Sequence, residues 1–354
     1  YTDAVCKEIA LRADEAANMA ANASIYFGGG TPSVLPTECI AKMVNALKQY
    51  GFWQQPCEAT IEVNPGTADL AKLQTLRSLG FDRISFGVQS LQDGELRAIG
   101  RIHNAQQALE ALALARKAGF ARVSADLIYG LPSQTLTSLQ DTLERLTDTG
   151  IEHISVYGLI VEEGTPLASL VDKGRITLPD EDTAADMYEL VQSFLRERGF
   201  ERYEISNYAR NGQYSRHNTV YWEYHPYVAF GAAACGFDGQ KRRTGLSTVK
   251  KYIGQLQSFI GDDLRASTLY NVEELSSAEL LEEFMFMGLR RSEGASLAEA
   301  RERFDVDVLQ RFASELAPLF EQKLIAYDAS TQRLRLTERG MEVGNQIFEV
   351  FVIT

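Results

Sequence analysis

The sequence predicts an α/β fold, a parallel sheet or barrel with outer helices, followed by a small winged-helix-like α+β module. Strand-like runs begin roughly every thirty residues through the first 160 or so, the size of a βα unit. Amphipathic helical stretches ending at glycine lie between them. Near residue 276 the rhythm changes to three helices, a hairpin and a last helix.

The chain opens on a helix-like stretch, residues 4–20. A parallel barrel should not begin on an orphan helix, so a first strand is expected upstream of Tyr1. The strand-like runs are 24–30 (SIYFGGG), 58–64 (EATIEVN), 83–89 (RISFGVQ), 122–130 (RVSADLIYG) and 153–160 (HISVYGLI). All are rich in β-branched and aromatic residues and bounded by turn formers. Leu70, Leu73, Leu76 and Leu79 line one helix before Gly80. Asn104 is placed to cap the next helix, which runs through Leu109 and Leu112 to Gly119. Leu136, Leu139, Leu143 and Leu146 form a third, ending at Gly150, and 182–198 reads as a fourth.

Residues 202–239 are aromatic, polar and non-periodic, the kind of long irregular stretch that usually carries function. The expected organisation is a barrel over 1–165, a capping region over 166–270 and the module over 271–354.

The formal net charge of −13 on 354 residues argues against nucleic acid as a partner. From residue 273 onward there are sixteen acidic and nine basic residues, so the module is not expected to read DNA. Lys241–Arg242–Arg243 and Lys250–Lys251 are local basic runs. Solvated surface is their ordinary reading, and contact with anionic carboxylates or peripheral contact with lipid the lesser one. No apolar run reaches eighteen residues and no signal peptide opens the chain, which fits a cytoplasmic protein. Cys6, Cys39, Cys57 and Cys235 are widely spaced and read as isolated side chains.

Chemistry is expected at the strand ends. Gly28–Gly29–Gly30–Thr31 lets the backbone approach a ligand, and no Gly-Lys-Ser/Thr follows to make it a Walker loop. Glu62 alternates with Ile61 and Val63, and Asp126 with Ala125 and Leu127, so both carboxylates should face the barrel interior. Gln89 ends its strand, and Ser124 and Ile128 share the face of Asp126. Barrel enzymes place their sites at such carboxyl ends. Buried carboxylates need a partner, for which Arg101, a ligand hydroxyl or a ligand ammonium would serve. In HNTVYW, His217 is a possible iron ligand, with Asn218, Tyr221 and Trp222 beside it and His225 following. His103 and His153 are read as structural.

In order and spacing, YFGGGTPS, IEVNPGT, ISFGVQS, IGRIHN and DLIYGLPSQT resemble the radical S-adenosylmethionine (SAM) core of the oxygen-independent coproporphyrinogen III oxidase family. HNTVYW resembles the signature of its HemW-type heme-chaperone branch. The resemblance spans nearly the whole chain. It implies a partial (β/α)6 barrel, SAM and a [4Fe–4S] cluster as cofactors, heme or porphyrin as cargo, and heme-acceptor proteins as partners. It also implies that Gly29, Gly30 and Thr31 meet the methionine moiety of SAM, and that Glu62, Gln89, Arg101, Asp126 and Ile128 contact it. His217 is implied as a heme ligand.

The family's CxxxCxxC cluster motif does not occur in the sequence. One explanation covers its absence and that of the first strand: both precede Tyr1. A degenerate homologue that binds no cluster is the other. The chain as it stands is not expected to perform radical chemistry. Decarboxylation of coproporphyrinogen III by a SAM-derived radical is the alternative activity implied, and an unrelated barrel hydrolase or isomerase is a weaker third.

Overall fold

The computed structural model describes residues 1–20, 22–261, 264 and 268–352; residue 21 and parts of the two later predicted segments, 262–263, 265–267 and 353–354, lie outside the described residues. Five parallel strands form the barrel wall: β1 (Ile25–Phe27), β2 (Ala59–Val63), β3 (Arg83–Gln89), β4 (Arg122–Tyr129) and β5 (His153–Gly158). Two antiparallel strands, β6 (Glu201–Arg202) and β7 (Asn207–Ala209), extend the sheet in the order β1-β2-β3-β4-β5-β7-β6. The sheet is open, with β1 and β6 at its edges among the described residues. Strand β1 is shorter than the run 24–30 because its glycine triplet leaves the ladder.

Helices Thr37–Gln49, Leu70–Leu79, Ala105–Lys117, Leu136–Thr147 and Glu181–Glu197 accompany the strands. Asn104 and Gln107 form a reciprocal capping box, as do Thr135 and Ser138, while Asp69 caps its helix through the amide of Lys72. Gly80, at φ +115°, closes the Leu70–Leu79 helix in the left-handed conformation that side chains disfavour.

Strand alternation then sorts the residues. Ile61, Ile84, Phe86, Ala125, Leu127, Ile154 and Val156 belong to the buried apolar core, whereas Thr60, Glu62, Arg83, Ser85, Asp126 and Ser155 line an interior cavity. Parallel strands usually carry apolar residues on both faces. Here one face is polar, so the barrel encloses a site rather than a second core.

A second sheet is antiparallel: β8 (Cys235–Phe237), β9 (Lys241–Gly245) and β10 (Tyr270–Glu274). Of its strands, β8 lies within the aperiodic stretch 202–239, and β9 and β10 follow it. Its basic residues are neutralised: Lys241 pairs with Glu274 at 2.5 Å, Arg242 with Glu283 at 2.7 Å and Arg243 with Asp238 at 2.9 Å. Lys250 and Lys251 are exposed.

The C-terminal module has its own core around Leu281, Phe284, Met285 and Leu334. Helices Ser277–Arg290, Leu297–Phe304 and Ala313–Glu321 precede the hairpin of β12 (Ile325–Asp328) and β13 (Arg333–Leu336). The two-residue β11 (Ala295–Ser296) adds a third strand beside β13, giving the winged-helix pattern. Among the described residues no helix is long and apolar enough to cross a membrane.

Candidate SAM and heme sites

The barrel cavity has a volume of about 400 Å³. It falls in the size range of small-molecule sites. Tyr26, Glu62, Gln89, Asp126, Ile128 and Asn218 are among its lining. Tyr26 donates to Glu62 Oε1 at 2.7 Å, and Ser85 Oγ lies 3.3 Å from both oxygens of Asp126. Burial raises both carboxyls above the ordinary carboxylate range, and in each case hydrogen bonds oppose the shift. The amide of Gly29 supports Glu62 in the same way.

Gln89 holds φ +66° where the β3–β4 register breaks between Phe86 and Gln89, a strained conformation that aims its amide into the cavity wall. Gly28 is required by contact, because a Cβ there would lie 2.8 Å from Glu62 Oε1 and 2.4 Å from Tyr26 Cε1. Gly29, Gly30 and Thr31 are exposed beyond the end of β1.

One expected pairing is absent. Arg101 makes no ion pair within 4.0 Å with Glu62 or Asp126 among the described residues; it acts on Asp126 only through longer-range charge. Two carboxylates therefore share one cavity without a cationic side chain in ion-pair contact, Arg83 lining the same cavity and acting on Asp126 only through charge at longer range. That is a poor arrangement for an empty cavity and a good one for a ligand carrying a sulfonium and an ammonium. The donor set suits SAM. The cluster is different: among the described residues no three His, Cys, Asp or Glu side chains converge as metal ligands.

HNTVYW forms the helix Arg216–Trp222, capped by Ser215. Its first turn sits on Glu58, a wholly buried carboxylate that accepts from the amides of Arg216 at 3.2 Å and His217 at 3.1 Å. Asn218 reaches the barrel cavity. Trp222 points the other way, with Arg290 of the C-terminal module over its ring at 4.7 Å. The motif thus spans barrel and module.

His217 has both ring nitrogens occupied, Nδ1 by Ser24 Oγ at 2.8 Å and Nε2 by Tyr221 Oη at 3.0 Å. Its ring stacks on Tyr26 with centroids 4.8 Å apart. Ligation of iron would require exchange of one of these hydrogen bonds. Burial holds the imidazole neutral, with its pKa down at about 4.

His103 and His153 are buried, each with Nε2 hydrogen-bonded, to Val88 O at 3.1 Å and Tyr203 Oη at 2.8 Å. His153 also lines the cavity, and burial pushes its pKa well down. A base whose folded pKa is depressed gives stability that is present above its unfolded value, 6.5, and is lost as pH falls through that value toward the folded one. Unfolding free energy should therefore drop on acidification from pH 6.5 toward 4, by up to about 1.4 kcal/mol per pH unit for each histidine. Urea titrations of wild type and His153→Gln across that range check this, and an unchanged acid limb in the variant would count against a neutral His153.

Several cavity residues escaped the sequence reading, Tyr26, Arg83, Ser85, Ser155 and Tyr157, and His153, read there as structural, lines the cavity too. The signal was the same two-residue alternation that located Glu62 and Asp126. Glu58 shares the face of Glu62 by that rule and escaped as well.

Residues 3–146 match the Radical SAM superfamily and residues 275–343 the HemN C-terminal domain. A protein of Bacillus subtilis named heme chaperone HemW is 36% identical over 330 residues, covering 93% of this chain and 85% of that protein. A zebrafish protein named radical S-adenosyl methionine domain-containing protein 1, mitochondrial, is 37% identical over 279 residues, covering 77% of this chain and 62% of that one. The solved coproporphyrinogen III oxidase HemN of Escherichia coli superposes with a TM-score of 0.81 at 23% identity, over 99% of this chain and 82% of that one, which establishes a shared fold. With two domain matches in the right order and a relative this similar along nearly its whole length, the chain belongs to the HemW family of radical SAM proteins.

Proposed function

We propose that this chain is a cytoplasmic heme chaperone that binds SAM in its barrel, holds heme or another porphyrin, and passes heme to acceptor proteins. The observation that carries the SAM part is the pair of unpaired carboxylates, Glu62 and Asp126, in one cavity. Their charge holds the cationic end of SAM, and Gln89 and Ile128 border the rest. Gly29, Gly30 and Thr31 meet the methionine moiety at the rim, and Arg101 contributes at longer range. The iron–sulfur cluster of the family supplies an electron to SAM when bound. The heme part is supported by 36% identity to a heme chaperone and by the position of His217, Asn218, Tyr221 and Trp222 between barrel and module. Residues 1–165 act as barrel, 166–270 as cap and 271–354 as module.

Calorimetric SAM titration of full-length, cluster-reconstituted protein tests the first part. Glu62→Gln and Asp126→Asn should each weaken SAM binding at least tenfold, about 1.4 kcal/mol. The same variants, free of ligand, should unfold at higher urea than wild type at neutral pH. A carboxyl with a raised folded pKa loses stability as pH climbs from its unfolded to its folded value, and the amide removes that loss. Unaltered SAM affinity in both variants would overturn the assignment. For heme, titration of wild type and His217→Ala followed at the Soret band should show loss of the band shift in the variant. Equal binding would remove His217 from the site.

A further inference from the structure

We propose that Tyr26 is a positioning residue that ties the Glu62 carboxylate of the SAM cavity to the His217 imidazole, so that SAM in the barrel and heme at His217 weaken each other's binding. The inference rests on the chaperone reading above and adds a regulation to it.

Tyr26 stands between the two sites. It occupies the middle of β1, lines the barrel cavity and donates from Oη to Glu62 Oε1 at 2.7 Å. The face of the same ring stacks on the His217 imidazole, with centroids 4.8 Å apart and planes inclined by 18°. His217 is not among the residues that line the cavity. A direct route from the histidine of HNTVYW to the carboxylate therefore runs through one aromatic ring.

A tyrosine side chain has two rotatable bonds, so fixing its ring fixes its hydroxyl. Gly28 leaves room for that ring, since a Cβ there would overlap it. Burial drives the Glu62 carboxyl up, and the bond from Tyr26 is the first of the contacts that oppose this. Tyr26 held in place thus keeps Glu62 charged and aimed, which is the form that grips an ammonium.

The imidazole is itself held on three sides. Ser24, two residues before Tyr26, meets Nδ1 at 2.8 Å, Tyr221 Oη meets Nε2 at 3.0 Å, and Tyr26 covers a face. The Tyr221 ring also meets the imidazole edge-on, with centroids 5.0 Å apart and planes at 88°. Iron needs one of the two ring nitrogens, so ligation removes an anchor that sets the orientation of the stack. Heme at His217 then leaves Tyr26 less restrained and Glu62 without a fixed donor. SAM, which binds best with Tyr26 in place, resists that release. By linkage the two affinities fall by the same factor.

Full-length, cluster-reconstituted protein should bind SAM about threefold or more weakly when saturated with hemin, and hemin should weaken by the same factor in saturating SAM. Calorimetry reads the first and Soret absorbance the second. Without hemin, Tyr26→Phe keeps the ring and loses the hydroxyl, and it should weaken SAM about threefold or more. The same variant should abolish the effect of hemin on SAM. His217→Ala should also weaken SAM about threefold, although it lies outside the cavity. His217→Phe restores a stacking ring without a ligating nitrogen, and SAM affinity should return to within about twofold of wild type. A role in stability alone would not separate these two variants. If wild type binds both ligands and hemin leaves SAM affinity unchanged, the coupling is wrong and the chaperone reading stands. If wild type fails to bind SAM or hemin, that reading falls and the coupling with it.

Discussion

Replacing Glu58 by Gln is expected to lower the unfolding free energy by about 3–5 kcal/mol. Glu58 is wholly buried and lies just before β2. Arg122 donates to it at 2.9 Å, and Arg83 Nη1 lies 3.8 Å away. Removing the charge leaves the buried Arg83 without its ion pair and Arg122 with Asp82 alone, the costly half of breaking a buried ion pair. The same carboxylate accepts from the first turn of the Arg216–Trp222 helix, where a negative charge also meets the positive end of the helix. Faster hydrogen exchange at the Arg216 and His217 amides should accompany the loss of stability. Urea unfolding gives the first quantity and exchange mass spectrometry the second. A loss below about 1 kcal/mol with unchanged exchange would mean that Glu58 does not anchor this helix.

Glu8→Ala should cost a similar amount, about 3–5 kcal/mol, through a different junction. Glu8, wholly buried in the helix Thr2–Leu11, accepts from Tyr252 Oη at 2.5 Å, the amide of Gly231 at 2.9 Å and Arg12 at 3.1 Å, and also from Tyr270. Four donors, from the end of the first helix, the loop before β8, strand β10 and the helix Val249–Ser258, converge on one carboxylate. Truncation takes one of the two carboxylate partners of Arg12, leaving Glu15, and leaves two tyrosine hydroxyls and one amide to find new partners. Glu8→Gln should recover part of the loss, because the amide can still accept. If Glu8→Ala unfolds within about 1 kcal/mol of wild type, the network is not what ties the first helix down.

Both residues show where the sequence stops being sufficient. The helix-like opening stretch looked like an orphan because the tyrosine and amide partners of Glu8 lie more than two hundred positions away. In the folded chain Val5 and Ile9 are buried in the barrel core and Glu8 reaches Tyr252 and Tyr270. Nothing local to residues 2–11 encodes those partners. The irregular stretch from 202 to 239 failed for the same reason. Its short strands are held by pairing rather than by a pattern of their own, β7 with β5, β6 with β7 and β8 with β9.

By itself the sequence determined the five parallel strands, the capped helices between them and the inward aim of Glu62 and Asp126, because each rests on a local period of two or 3.6 residues. Only tertiary structure decided that Arg101 stays out of contact with those carboxylates and that both nitrogens of His217 are taken. Those are relations between side chains from distant segments. Distance and desolvation set them, and neither is written in the order of residues along one strand or helix.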